Sequence, residues 1–140
     1  MTYDEWFIQQ GNLHANVMKK LEDKSVDEVI EYFRFENMVK NEPDFCPLYK
    51  DNKKCHDMEN LNCYLCACPN FRFKTEGFEK TEEGRTLFSV CNIKSRDGSQ
   101  YIGDDYIHQN CSGCIVPHRE KYIKKHFNRS WFEVMKDVRS

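Results

Sequence analysis

Sulfur is the element with chemistry to offer in this chain. Five of its eight cysteines fall between Cys46 and Cys68, in CPLYKDNKKCHDMENLNCYLCAC, with Pro69 directly after. The others are Cys91 and the pair Cys111 and Cys114, in NCSGCIVPH. Cys63-Tyr64-Leu65-Cys66 and Cys111-Ser112-Gly113-Cys114 are both C-x-x-C pairs, a spacing that lets the chain turn and aim two sulfurs at one cation. One such pair is a weak signal that also fits a redox dithiol; two, with four further cysteines, point to metal ligation. Joining the two pairs gives a four-thiolate site of Cys63, Cys66, Cys111 and Cys114, and leaves Cys46, Cys55, Cys68 and Cys91 for a second. Other partitions stay open, because Cys68 follows Cys66 by two residues and 44 residues separate the pairs.

Two histidines complicate the count. His56 adjoins Cys55, and His118 lies four residues after Cys114, about one helical turn away. Either can replace a cysteine as ligand, and the plainer reading makes each a surface residue or a support for one. His14, His108 and His126 have no neighbouring cysteine and read as ordinary surface residues. Zinc, in two sites, is the first expectation, with iron–sulfur as the alternative. Cys68-Pro69 echoes the cysteine–proline end of bacterial ferredoxin runs. Against it, Cys63, Cys66 and Cys68 are spaced C-x-x-C-x-C, where a ferredoxin run has C-x-x-C-x-x-C-x-x-x-C.

A catalytic metal would keep one position open and need a base nearby. Asp57 and Glu59 are the acids set within the cysteine cluster, and they read more simply as turn residues. No H-E-x-x-H, deaminase signature, phosphate-binding glycine loop or nucleophile elbow occurs. A binding or accessory role is therefore favoured over catalysis, and electron transfer goes with the iron–sulfur alternative.

The elements that must position these thiols come from a 140-residue chain whose hydrophobic content is 39%, cysteines included, and whose aromatic content is 14%. With a mean hydropathy of -0.82 the core is lean, and metal cross-links would compensate. Residues 2–10 and 12–23 read as short helices. Ser25-Val26-Asp27-Glu28 has the form of a capping box, opening a helix that turns Val26, Val29, Ile30 and Phe33 inward, runs to about Lys40 and stops before Pro43. The cysteine-rich stretch reads as irregular loop. Phe71–Phe73 and Thr86–Cys91 have strand character, Ser95–Gly98 is a turn with Gly98 free to take positive φ, and Gly103-Asp104-Asp105 turns between two short apolar pairs. Pro117 suits the first turn of a helix carrying Tyr122, Ile123 and Phe127, and Ser130 to Glu133 repeats the capping pattern.

The expected fold class is α+β: a small, irregular, metal-stabilised, zinc-ribbon-like core with a short β-hairpin, flanked by N- and C-terminal helices. Its divisions are 1–42, helical; 43–118, cysteine-rich and metal-binding; and 119–140, a helical extension.

The run CPLY…CHDMENLNCYLCACPNFRF, with Cys91 and NCSGCIVPH, resembles the cysteine-rich small domain family of bacterial and archaeal proteins, described as zinc-finger-like. The resemblance covers about residues 45–119, and Cys46, Cys55, His56, Cys63, Cys66, Cys68, Cys91, Cys111, Cys114 and His118 all fall inside it. It implies a metal-binding domain and brings no reaction with it.

No window approaches the roughly 18 apolar residues of a membrane span, and the opening residues do not read as a signal peptide. A cytoplasmic setting with reduced thiols is the expectation, and four disulfides the secreted alternative. The net charge of -2 divides unevenly: residues 119–140 hold seven basic and three acidic side chains, +4, leaving -6 for the rest. That tail makes nucleic acid a possible partner, but a solvated face is the simpler reading, and a protein partner fits better.

Overall fold

Hydrogen bonds claimed early in the chain by residues far along it decide where the helices stop. A computed structural model describes residues 1–139 and has mixed α+β architecture, in two compact units. The first comprises Met1–Cys66 and Pro117–Val134, the second Ala67–Val116 and Met135–Ser140. The division falls between Cys66 and Ala67, inside the segment 43–118 expected to be continuous.

In the first unit, α1 spans Tyr3–Lys19, with the Thr2 hydroxyl accepting from the Glu5 amide at 3.1 Å. Two helices broken near Gly11 were expected; one continuous helix is found. Gly11 serves packing here, since a Cβ on it would lie 2.1 Å from the Phe132 ring.

The Ser25 capping box forms in full and opens α2, Val26–Tyr32. The helix expected to continue to Lys40 instead breaks, and α3 begins at Phe35 and runs to Asn41. Cys63 N–H donates to the Phe33 carbonyl at 2.8 Å, Phe35 N–H donates to the Leu61 carbonyl at 2.9 Å, and extended Arg34 bridges to Asn62. Backbone groups that an unbroken helix would keep for itself are spent on the segment carrying Cys63.

Tyr49–Asp51 is a 3₁₀ turn, and the rest of 42–66 is irregular as expected. A second 3₁₀ turn, Val116–His118, leads into α4, Glu120–Lys125, and α5, Trp131–Val134, follows. Ser130 Oγ accepts from the Glu133 amide at 3.3 Å, while the Ser130 amide donates to Asn128.

The core of this unit is aromatic. Phe7, Phe33, Phe35, Phe45, Tyr49, Tyr64 and Trp131 are all buried, with Val29, Met38, Leu61, Leu65 and Ile123 among them. His14 is inside as well, which corrects its placement on the surface. It stacks on Phe33 at 5.2 Å and meets the edge of Tyr64 at 4.6 Å.

The second unit is β-structure. Strands β1 (Phe71–Phe73) and β4 (Ser89–Cys91) pair antiparallel. A four-stranded sheet has the order β2 (Glu79–Lys80), β3 (Thr86–Leu87), β6 (Tyr106–Asn110), β5 (Ser99–Ile102), with β3 and β6 parallel and the other pairs antiparallel. The strand expected over Thr86–Cys91 thus serves two sheets, dividing at Phe88, whose N–H goes to Ile107. The Ser95–Gly98 turn closes at 3.1 Å, but the left-handed residue beside it is Lys94, φ 48°, and not Gly98. No helix among the described residues is long and apolar enough to cross a membrane.

Candidate metal centres

The thiols fall into two sets of four, one in each unit: Cys46, Cys55, Cys63 and Cys66, then Cys68, Cys91, Cys111 and Cys114. This separates the two C-x-x-C pairs, which the sequence reading had joined. A single residue, Ala67, parts the last member of one set from the first of the other.

In the first unit, packing fixes each thiol from the flanking residues. Cys46 sits between buried Phe45 and buried Tyr49, whose amide donates to the Cys46 carbonyl at 3.0 Å. Between Cys63 and Cys66, Tyr64 and Leu65 are fully buried and tethered. The Tyr64 hydroxyl donates to the Asn128 carbonyl at 2.5 Å, and Trp131 Nε1 donates to the Leu65 carbonyl at 2.5 Å. Cys66 takes a left-handed φ of 46°, unusual for a residue with a side chain.

Mutual proximity shows in the electrostatics. Burial first, then Cys55 and Cys46, pushes the Cys63 thiol up to about 12. Cys66 is raised by burial and by Cys63, Cys46 and Cys55. Cys55, the exposed member, is raised by partial desolvation and by Cys46. The buried Tyr49 hydroxyl is raised by burial and by Cys63, Cys66 and Cys46. Its interaction with the Cys63 thiol in turn offsets part of the rise of Cys63. Three thiols whose ionisation is disfavoured by burial and by neighbouring sulfurs are an arrangement that a divalent cation reverses.

One corner of this set is closer still. Among the described residues, one group brings three ligand atoms within 4.8 Å of one another: Cys55, His56 and His118. His56 Nδ1 lies 3.2 Å and His118 Nε2 3.6 Å from Cys55 Sγ. Ligand atoms around a tetrahedral zinc stand roughly 3.3 to 3.8 Å apart, so the two distances from Cys55 Sγ lie within or just below that range.

His118 is oriented for the task. Its buried ring places Nδ1 2.9 Å from the Asn62 carbonyl, the partner for an N–H, which leaves Nε2 with its lone pair toward Cys55. Burial, chiefly, holds its pKa below the ordinary imidazole value and favours the neutral ring that a metal requires.

Asn62 was not singled out in the sequence, yet it organises this corner. Fully buried, it donates through Nδ2 to the Ile30 carbonyl at 2.7 Å and to Glu120 at 2.9 Å, and accepts the Tyr64 amide at 2.9 Å. Glu120 in turn takes a two-pronged bond from Arg34 at 2.8 and 3.0 Å. A lone asparagine beside C-x-x-C carries no spacing signal that could have revealed this.

The second set contains thiols alone. Cys68 is raised by burial and by Cys91 and Cys114, and Cys111 is pushed up to about 11 by burial and by Cys68, Cys114 and Cys91. The C-S-G-C turn closes through Cys114 N–H to the Cys111 carbonyl at 3.0 Å. Ser95 serves two sulfurs, its amide donating to Cys91 at 3.4 Å and its hydroxyl lying 3.2 Å from Cys114. Hydrogen bonds of this kind stabilise metal thiolates.

The remaining candidates lie elsewhere. Asp57 and Glu59 are exposed and join no three-donor group among the described residues. His108 lies on the sheet against Phe88 and bonds Ser89, and His126 is exposed beside Tyr122. In the basic tail, Arg129 donates to the Leu21 carbonyl at 3.2 Å and to the Lys24 carbonyl, and Lys124 pairs with Asp27 at 3.0 Å. Those cations are partly spent within their own unit. Comparison with known proteins gives no relative: no family model, curated protein or solved structure matches this chain.

Proposed function

We propose that this protein is a metal-binding accessory module, holding zinc in two cysteine-rich sites and meeting a protein partner in the cytoplasm, where its thiols stay reduced. The observation that carries the reading is the Cys55–His56–His118 corner, with three donor atoms within 4.8 Å and the Nδ1 of His118 committed to a backbone carbonyl. The three corner donors leave one tetrahedral position, for which Cys46, Cys63 and Cys66 offer thiolates. The all-thiol set of the second unit, flanked by the β1–β4 pair, supplies a ribbon-like site. The resemblance of residues 45–119 to the cysteine-rich small domain family belongs to the same proposal. Zinc bound by four such ligands supplies cross-linking and no open position for chemistry.

Elemental analysis and native mass spectrometry of protein purified without oxygen test it. About two equivalents of zinc are expected. Iron with acid-labile sulfide would assign the sites to iron–sulfur clusters and electron transfer instead. A folded protein with neither metal would end the proposal.

A further inference from the structure

The four-stranded sheet of the second unit has two outer edges, and they are built differently. At one, β2 is two residues long and both are charged, Glu79 and Lys80. Short length and charge are how sheets protect an edge from pairing. At the other, β5 is Ser99-Gln100-Tyr101-Ile102, with no charge, no proline and an unbroken register against β6. All four of its residues are exposed; Tyr101 is 58% and Ile102 57% accessible, with Ile93 at 52% in the segment leading in.

The hydrogen-bond phase of this edge follows from the hairpin. Gly103 N–H donates to the Tyr106 carbonyl, so Tyr101 and Ser99 turn their backbone groups toward β6, and Gln100 and Ile102 turn theirs outward. An antiparallel copy of β5 sets Gln100 against the partner's Ile102, and Ile102 against the partner's Gln100, with the two Tyr101 rings meeting on the axis.

Charge selects the same arrangement. Lys94, Arg96 and Asp97 precede β5 with net +1, and the Arg96 side chain is 92% exposed. Exposed Asp104 and Asp105 follow it with net -2. Antiparallel pairing lays each lead-in beside the other copy's acidic exit turn.

We propose that β5 is the pairing edge for a second copy of this chain, giving a closed two-fold dimer with a continuous eight-stranded sheet. Because the far edge is charged and short, growth stops at two.

Sedimentation equilibrium and light scattering on the full chain as purified, from about 1 to 200 µM, should show a reversible dimer. Tyr101→Lys places like charges on the axis, and Ile102→Pro removes an outward N–H that β6 does not use. Each should weaken association by about tenfold or more. Arg96→Glu, on an exposed loop with little power to disturb folding, should weaken it too, and Asp104→Lys with Asp105→Lys added to that variant should restore it. A wild-type protein monomeric throughout this range overturns the proposal. So does a dimer indifferent to Arg96→Glu and to whichever of the β5 variants folds, as judged by near-ultraviolet dichroism.

Discussion

The two units hold four thiols each but differ greatly in what else holds them together. The first buries a contiguous set of aromatic and aliphatic side chains, from Phe7 through Phe33, Tyr64 and Ile123 to Trp131. Among the described residues of the second, the buried apolar side chains are Ile107, Met135 and Val138, with Cys114 beside them, and most strand residues are half-exposed or exposed. A fully buried large apolar side chain is worth about 1.5 to 3 kcal/mol. The first unit therefore has a core to fall back on, and the second has little apolar packing of its own. On the proposed reading, metal would add to existing packing in the first and stand in for it in the second.

Chelation should expose that contrast most strongly. Removing metal with a high-affinity chelator is expected to abolish protection of the β5–β6 amides while α1 and α2 keep theirs, read by hydrogen exchange with mass spectrometry. Equal loss in both units would break the comparison. Single ligands sharpen it: Cys91→Ser should cost about one metal equivalent and unfold the sheet unit. Cys63→Ser should cost a similar equivalent with the helical signal largely kept. Metal content and far-ultraviolet dichroism of the two variants decide this.

A smaller effect tests the support behind His118. Asn62→Ala leaves the Ile30 carbonyl and the Tyr64 amide without their partner, an expected loss of about 2 to 4 kcal/mol in denaturant titration. The same variant should leave metal at the all-thiol set in place.

The smallest effect concerns acid. Burial lowers His14 to about 4, against 6.5 for an ordinary imidazole, and the Tyr64 backbone beside the ring offsets only part of this. The unfolded chain thus takes up a proton before the folded one does. Stability is full above pH 6.5, falls as the pH drops from 6.5 toward 4, and changes no further below that for this group. Between pH 7 and pH 5 the loss should be about 2 kcal/mol, and His14→Phe should remove it while keeping the stack on Phe33. Thermal melts of both proteins at the two pH values provide the check; an unchanged pH dependence in the variant would place the acid sensitivity elsewhere.

Much of this was legible in local spacing. The Ser25 capping box, the Phe71–Phe73 strand and the hairpin around Gly103 are decided by residues a few positions apart. What was illegible depends on distant partners. The break at Phe33–Arg34 exists because Leu61–Cys63 claims those backbone groups, and no local breaker announces it. Joining the two C-x-x-C pairs was reasonable from motif symmetry. The topology instead groups each pair with the single cysteines of its own unit, so that Cys68 parts from Cys66 across Ala67 and joins the distant pair. His14 carries the spacing of an α1 face that also holds Phe7, Val17 and Met18, but a titratable ring in a lean sequence reads as surface until the aromatic cage around it is seen.

Gly11 has a consequence for how α1 is held. A glycine in mid-helix weakens an isolated helix by about 1 kcal/mol relative to alanine, so α1 by itself is a poor helix former. What makes its gap worthwhile is the ring of Phe132, which fills it from near the far terminus. The order of α1 therefore depends on a ring supplied from far along the chain, and the helix gains its full stability only once α5 has docked on it.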